Sequence, residues 1–273
     1  MAIEFHEIVL DLGKRFQQEE TAMRRTVKLV SLFCFLIGVP SFRVHAEEPA
    51  AGKQVEQKFD YAKNPRHSMG YLLYLPANYR ASGEKFPLIL FLHGSGERGN
   101  KLPLVKKHGP PKIVEEWSDL PFIIVSPQLS LDNQRFDTLA LAALLDSVEQ
   151  KYSVDPDRVY LTGLSMGGGG AWQLAAHQPD RFAAIVPICG YTDARDGVKL
   201  KKVAVWAIHG DFDGAVPYPE TEQMVDALRT AGGDVKFTIH HGGGHDTWTS
   251  TYGMPEFYEW LLRHRRGGSA KRE

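Results

Sequence analysis

Short apolar runs recur along the chain, and polar or glycine-rich stretches separate them. The runs of strand length cover residues 71–75, 86–92, 122–125, 159–162, 183–188, 203–208 and 235–239. Several contain almost no polar residue, which is typical of strands buried on both faces, as in parallel sheets. Residues 47–57 are polar instead, and we expect them to form a loose segment ahead of the first strand.

Segments between these runs carry apolar residues at helical spacing and predict helices over 137–152, 171–177, 220–230 and 255–264. Strands that alternate with helices favour an α/β fold, in which helices cover both faces of a mostly parallel central sheet. We therefore expect residues 47–273 to form a single α/β domain.

The first 46 residues have a different pattern, which predicts an N-terminal extension and a secretory signal peptide. A basic segment at 23–28 precedes an apolar run at 29–39, and Val44-His45-Ala46 offers a small residue for cleavage. The apolar run is too short to span a bilayer; a buried helix or an uncleaved anchor is the alternative. We expect translation to start at Met23 and the mature protein to be secreted or periplasmic, without stable membrane insertion.

Charge and cysteine content narrow the choice of partners. The chain has 32 Lys and Arg against 33 Asp and Glu, and its net charge is −1. This balance gives no overall field that would attract nucleic acid or an anionic membrane. Cys34 lies inside the predicted signal peptide, so Cys189 would be the only cysteine of the mature chain, and we expect it to be buried and unreactive.

The first candidate for a catalytic motif is Gly163-Leu164-Ser165-Met166-Gly167. The run at 159–162 leads into this motif and helix-forming residues follow it, so the motif would lie on a tight turn between a strand and a helix. A nucleophile elbow has this context: the turn strains the serine, and the glycines occupy positions where a side chain would collide with backbone. A glycine-rich turn that only packs closely or approaches a ligand is the alternative.

Three further polar segments follow predicted strands, at 93–100, 209–217 and 242–248. Open α/β sheets bind ligands at the carboxyl ends of their strands, so these segments should meet the elbow. Serine, acid and histidine thus occur in the order typical of α/β-hydrolases. An imidazole activates a serine hydroxyl, a carboxylate orients that imidazole, and backbone N–H groups stabilise the tetrahedral intermediate.

Segments 93–99, 155–168, 210–217 and 243–245 resemble the α/β-hydrolase superfamily. Residues 155–168 together with His93-Gly94-Ser95-Gly96-Glu97-Arg98-Gly99 are similar to its secreted esterase branch, which contains feruloyl and acetylxylan esterases, polyhydroxybutyrate depolymerase-like proteins and predicted peptidases. The resemblance implies an α/β-hydrolase fold. The chain departs from the family at Gly169-Gly170, where a bulkier residue is common and where glycine lowers helix propensity.

Ser165, Asp213 and His245 are the expected nucleophile, acid and base. Asp213 matches the family's Gly-x-x-Asp-x-x-Val-Pro spacing, and His245 follows a glycine run that can place it over Ser165. The alternatives are Asp211 and Asp193 for the acid, and His240 and His241 for the base.

The N–H groups of Met166 and Ser95 are the expected oxyanion donors, with Gly96 as the alternative to Ser95, and we expect His93 to orient the Ser95 loop. The remaining histidines at 108, 177, 209 and 264 are expected to be ordinary surface or packing residues. Because no pair of them has the spacing of a zinc site, we expect no metal, and the chemistry calls for no cofactor.

The lengths of the predicted loops indicate how open the substrate cleft is. About fourteen residues separate the strands that end near Ile188 and begin near Val203, which leaves no room for a cap domain. The long connection 94–120 is expected to border the cleft. Arg98 and Trp248 are candidate substrate contacts; the alternatives are a Glu97–Arg98 ion pair that stiffens the loop, and a tryptophan that simply packs.

These features predict a secreted serine esterase that cleaves carboxylic esters through an acyl-enzyme, with acyl esters on polysaccharides as the candidate substrates. A serine peptidase of the same fold and a catalytically inactive hydrolase fold used for binding remain the alternatives.

Overall fold

The computed structural model describes residues 49–80, 83–117 and 119–268. The predicted signal peptide, the segment before it and Cys34 lie outside the described residues. Within the described part of the chain, no helix is both long and apolar enough to cross a membrane.

The described residues form eight strands, β1 (Gln54–Phe59), β2 (Met69–Tyr74), β3 (Phe86–Leu92), β4 (Ile123–Pro127), β5 (Val154–Leu164), β6 (Ala184–Ile188), β7 (Ala204–Gly210) and β8 (Val235–His240). The helices are α1 (Pro110–Glu116), α2 (Thr138–Lys151), α3 (Met166–His177), α4 (Ala194–Gly197), α5 (Tyr218–Thr230), α6 (Trp248–Tyr252) and α7 (Pro255–Leu262).

All eight strands form one sheet in the order β1-β2-β4-β3-β5-β6-β7-β8. β2 pairs antiparallel with both of its neighbours, and every other pairing is parallel. The carboxyl ends of β3, β5, β6, β7 and β8 therefore lie at one edge of the sheet. The predicted mostly parallel sheet is confirmed.

The sheet separates two hydrophobic cores, because alternate residues of each strand point to opposite faces. In β3, Leu88, Leu90 and Leu92 join the core under α2, α3 and α5. Ile89 and Phe91 join the core under α1, α6 and α7. Both sets are fully buried, which is why the run at 86–92 contains no polar residue.

The structure corrects the predictions at three places. The segment 47–57 is not a loose lead-in throughout, since Gln54–Phe59 forms edge strand β1. The connection 94–120 contains helix α1, which begins at Pro110. Helix α3 begins at Met166 rather than near 171, so the glycines that follow the elbow are helical. The segment between β6 and β7 carries only α4 and a single 3-10 turn, too little for a cap domain.

A buried hydrogen bond joins the end of the last helix to the centre of the sheet. The hydroxyl of Tyr160 in β5 donates to the carbonyl of His264 over 2.9 Å. We expect Tyr160→Phe to lower the free energy of unfolding by about 1 to 3 kcal/mol, because it leaves a buried carbonyl without its donor. Urea unfolding at neutral pH measures this change.

Tyr218→Phe is the matched control, because the Tyr218 hydroxyl bonds the exposed side chain of Glu222. It should change the free energy of unfolding by only a few tenths of a kcal/mol, as surface substitutions usually do. Equal effects of the two substitutions would contradict the importance of the buried bond.

Candidate active site

Ser165 occupies the sharp turn between β5 and α3. Its backbone has φ 53° and ψ −119°, a strained conformation for a residue other than glycine. Its N–H donates to the carbonyl of Ile188 over 2.9 Å, which ties the turn to the end of β6. A Cβ on Gly163 would lie 2.3 Å from the Gly167 carbonyl oxygen, and a Cβ on Gly167 would lie 2.0 Å from that of Leu92. Both positions therefore require glycine, as the motif predicts.

The next glycines explain the departure from the family pattern at this turn. A Cβ on Gly168 would lie 2.5 Å from the carbonyl oxygen of Ile188, and one on Gly169 would lie 2.8 Å from that of Tyr191. Glycine costs about 1 kcal/mol in helix propensity, but here it lets α3 approach the end of β6 at backbone contact. The first turn of α3 is accordingly helical and closely packed.

The three residues predicted to react are brought together at the carboxyl edge of the sheet. Nε2 of His245 lies 2.9 Å from Oγ of Ser165, and its Nδ1 lies 2.7 Å from Oδ2 of Asp213. An ionised carboxylate can only accept, so the hydrogen of a neutral imidazole is on Nδ1. Nε2 is then free to accept the hydroxyl proton of Ser165.

Asp213 is held as an ionised carboxylate below the surface. Its side chain has no exposed area, and its Oδ1 accepts from the N–H groups of Ala215 and Val216 over 2.8 and 2.9 Å. Burial by itself would raise the pKa of Asp213, but these donors and His245 outweigh it, so the pKa is lowered. The acid therefore stays charged beside the imidazole.

The rival acids have other partners. Asp211 accepts from the Gly242 N–H over 2.7 Å and lies 2.9 Å from Nδ1 of His241, so it holds the turn after β8. Asp193 caps α4 and forms an ion pair with Arg195. The rival base His241 is thus turned toward Asp211, while His245 is the histidine bonded to Ser165.

The predicted oxyanion donors each begin a helical turn. Met166 is the first residue of α3, and Ser95 is the first residue of the 3-10 turn Ser95–Glu97. N–H groups at such positions have no carbonyl partner within their own helix, so they can bind an anion. The close packing of Gly167 on the carbonyls of Leu92 and His93 brings the two turns side by side.

His93 fastens the loop that carries Ser95. Its Nε2 accepts from the Leu129 N–H over 3.0 Å, so the hydrogen of the neutral ring is on Nδ1, which donates to the Gly94 carbonyl over 2.6 Å. Burial lowers the pKa of His93 to about 4 despite the bond to Gly94. This neutral, buried ring serves the structural role that the sequence predicted.

Glu97 and Arg98 do not form the ion pair that was the alternative to substrate contact. Glu97 is buried, and its carboxylate lies 3.9 Å from the amino group of Lys107 and 3.9 Å from Nε2 of His108. Arg98 instead donates to the Ser95 carbonyl over 3.2 Å and to the side chain of Gln134 over 3.3 Å. It thereby links the Ser95 loop to the rim of a cleft.

This cleft opens beside Ser165 and has a volume of about 550 Å³. Its lining includes Gln134, Arg135, Phe136, Ser165, Met166, Gly169, Gln173, Tyr191, Thr192, Asp193, Val216 and Glu220. The predicted contacts Arg98 and Trp248 lie outside this lining. The connection 94–120 also contributes no residue to it, contrary to the expectation that it borders the cleft. The Trp248 ring packs edge-on against His245, with ring centroids 4.9 Å apart, and is 8% exposed.

His209, which was expected to be an ordinary packing residue, also contacts Asp213. Nε2 of His209 lies 3.1 Å from Oδ2 of Asp213, and both side chains are fully buried. With Cys189 they form a group whose ligand atoms lie within 4.8 Å of one another. Burial raises the pKa of the Cys189 thiol to about 11, so the thiol is protonated at neutral pH. The absence of a metal site stays a prediction from the sequence.

Comparisons with known proteins agree with this architecture. The model of the Dienelactone hydrolase family matches residues 126–250, which include Ser165, Asp213 and His245. A bifunctional acetylxylan esterase/xylanase of Neocallimastix patriciarum is 24% identical over 180 residues, covering 62% of this chain and 25% of that protein. Probable feruloyl esterase C of Aspergillus terreus is 27% identical over 151 residues, covering 54% of this chain and 56% of that protein.

Solved structures with this fold include a thermostable esterase with a TM-score of 0.66 and 28% identity, which covers 80% of this chain and 64% of that one. Peptidases of the same fold match as well. The chain spans about a quarter of the length of the acetylxylan esterase/xylanase and about half of the length of the feruloyl esterase.

The contact between Gly168 and Ile188 predicts a sensitive position. We expect Gly168→Ala to lower the free energy of unfolding by about 1 to 3 kcal/mol, because the new methyl group would press on backbone rather than on a movable side chain. It should also slow the labelling of Ser165 by a fluorophosphonate. Gly214→Ala is the control, since a Cβ there meets nothing within 4 Å. A stable, fully reactive Gly168→Ala protein would contradict the packing argument.

His93 predicts a pH dependence of stability. Its pKa is about 4 in the folded protein against an ordinary value of 6.5. The folded state therefore favours the neutral ring; the stabilisation is complete above about pH 6.5 and is lost as the pH falls toward 4. We expect the stability difference between wild type and His93→Gln to shrink between pH 7.5 and pH 4.5 in urea unfolding. The exposed His177→Gln is the control for loss of a histidine. A stability difference for His93→Gln that does not change with pH would count against the buried neutral ring.

Proposed function

Because the chain belongs to the α/β-hydrolase superfamily, we propose that it is a serine hydrolase that cleaves carboxylic esters through an acyl-enzyme. The observation that carries this proposal is the unbroken series of hydrogen bonds from Ser165 through His245 to Asp213 at the mouth of the cleft. In these roles Ser165 is the nucleophile, His245 the general base and then acid, and Asp213 the acid that orients the imidazole.

The geometry supports the following sequence of steps. Nε2 of His245 takes the hydroxyl proton while Ser165 Oγ attacks the ester carbonyl, and the N–H groups of Met166 and Ser95 stabilise the oxyanion. His245 then donates the proton to the departing alcohol, which leaves an acyl-enzyme. A water molecule, activated by the same nitrogen, releases the acid and restores Ser165.

Acyl esters carried by polysaccharides are the proposed substrates. The cleft has no cap domain over it and is lined by polar side chains, both neutral ones such as Gln134 and Gln173 and charged ones such as Glu220, which suits an ester attached to a bulky, polar polymer. Matched relatives named acetylxylan esterase and feruloyl esterase support the same class. The predicted signal peptide would place this activity outside the cytoplasm. Arg98 would act at the rim of the cleft, and Trp248 would act through its contact with His245.

A serine peptidase is the second candidate, because peptidases of the same fold match the chain. An amide is a poorer electrophile than an ester and has a more basic leaving group, so the two activities separate experimentally. An inactive binding protein is the third candidate, and it has no need of a serine hydroxyl already bonded to a histidine.

The test is turnover of p-nitrophenyl acetate, methyl ferulate and a peptide p-nitroanilide by the purified protein. We expect ester hydrolysis, and we expect Ser165→Ala to lower kcat by about 10⁶-fold. Asp213→Asn should lower it by about 10⁴-fold, because the imidazole loses the correct tautomer.

Asp211→Asn is the matched control for the acid, and it should keep kcat near the wild-type value. Ester hydrolysis that survives Ser165→Ala would refute the assignment of the nucleophile. Cleavage of the anilide alone would establish the peptidase, and failure of a fluorophosphonate to label Ser165 would favour the binding protein.

A further inference from the structure

His209 contacts Asp213 and is not among the residues that line the cleft. The Asp213 oxygen that bonds His245, Oδ2, also lies 3.1 Å from Nε2 of His209. The other oxygen of Asp213 is occupied by the two backbone donors, so His209 provides a second side-chain contact to the carboxylate. His209 itself has no exposed side-chain area.

The partners of His209 decide where its hydrogen lies. Besides Asp213, its Nε2 lies 3.1 Å from the carbonyl oxygen of Val216, and neither oxygen can donate, so Nε2 carries a hydrogen. Burial lowers the pKa of His209 although Val216 and Asp213 raise it, so the ring is neutral at neutral pH and its Nδ1 is bare. The Thr221 hydroxyl lies 2.8 Å from Nδ1 and can donate to it.

Thr221 anchors this ring to helix α5. Its single hydroxyl hydrogen has two acceptors within reach, Nδ1 of His209 and the carbonyl oxygen of Gly190 at 3.1 Å. The Gly190 oxygen also accepts from the indole N–H of Trp172 over 3.0 Å, whereas the bare Nδ1 has no other donor among the hydrogen bonds of the described residues, so we assign the hydrogen to Nδ1 of His209. A buried series of bonds therefore runs from Thr221 through His209 to Asp213, and it continues through His245 to Ser165.

We propose that His209 is a positioning residue for the reaction: its Nε2–H holds Oδ2 of Asp213 in line with His245 and shares the negative charge of that oxygen. The proposal rests on the proposed function, because it assigns Asp213 as the acid. Without the His209 donor, Oδ2 would attract the His245 proton more strongly and would be less firmly placed. The imidazolium would then give up its proton to the leaving group less readily.

The groups that face His209 are Asp213 and His245 from the turns after β7 and β8, Cys189 after β6, and Thr221 and the ring of Tyr218 from α5. Near neutral pH the Cys189 thiol and the Tyr218 hydroxyl stay protonated, because burial raises the pKa of both groups, and Asp213 stays charged. A shift in the acidic limb of the pH profile therefore reports on the His209–Asp213–His245 series.

The test compares His209→Leu, which removes the donor, with His209→Gln, whose carboxamide N–H can reach the same oxygen. For His209→Leu we expect kcat to fall about tenfold, the size expected for one hydrogen bond to a charged group, with KM within about twofold. The acidic limb of kcat/KM should move upward by about half a pH unit, because His245 becomes more basic. His209→Gln should recover most of both effects, and Thr221→Val should give a smaller change in the same direction.

His177→Leu is the control for loss of a histidine, and thermal unfolding establishes that each variant is folded. A folded His209→Leu protein with wild-type kcat and pH profile would overturn the proposal, as would a His209→Gln protein as impaired as His209→Leu. If His209→Leu does not fold, an unchanged pH profile of Thr221→Val overturns it. If wild type hydrolyses no ester, the proposed function fails. The pKa of His245 in ¹⁵N-histidine NMR then decides the coupling: an upward shift in His209→Leu that His209→Gln largely removes supports it, and any other result overturns it.

Discussion

The contact of helix α3 with the ends of β3 and β6 is the constraint on which the site depends. Gly167 packs on the carbonyl of Leu92, and Gly168 packs on the carbonyl of Ile188. Both contacts join backbone to backbone, so neither can relax by the rotation of a side chain. They hold Ser165 in its strained turn and bring the start of α3 against the loop after β3. The proposed nucleophile is thus placed by the main chain of the sheet itself.

The proposed acid and base are held by hydrogen bonds rather than by packing of backbone. Asp213 lies on a turn after β7, where two backbone N–H groups and His209 fix its two oxygens. His245 follows a glycine-rich turn, and Asp213 and Trp248 determine the orientation of its ring. Fixed dipoles and charges of this kind need little reorganisation when charge develops on the substrate, which is the main advantage of an enzyme site over water.

The elements that could be predicted from the sequence are those whose burial or backbone geometry determines their own residue types. β3 is an unbroken apolar run because both of its faces are buried, and the elbow glycines follow from the turn they form. β1 was missed because an edge strand is half exposed and its residues 54–59 are mostly polar. The role of His209 was missed because its partners Thr221 and Asp213 come from a helix and a turn that meet only in the folded chain. Its position at the end of a buried strand, four residues before Asp213, was the available signal.

The position of β8 at the edge of the sheet determines when Ser165 and His245 can contact each other. β6, β7 and β8 add to β5 in the order of the sequence, and β8 is an edge strand with β7 as its single partner. Ser165 and His245 are 80 residues apart, so their contact closes only after this edge has paired. Without the pairing of β8, the segment that carries His245 is not anchored beside Ser165. Because edges open at lower free energy than the centre of a sheet, local opening of β8 would separate the two side chains before the central strands unfold. The reactivity of Ser165 therefore reports whether β8 is paired, and not whether the whole domain is folded.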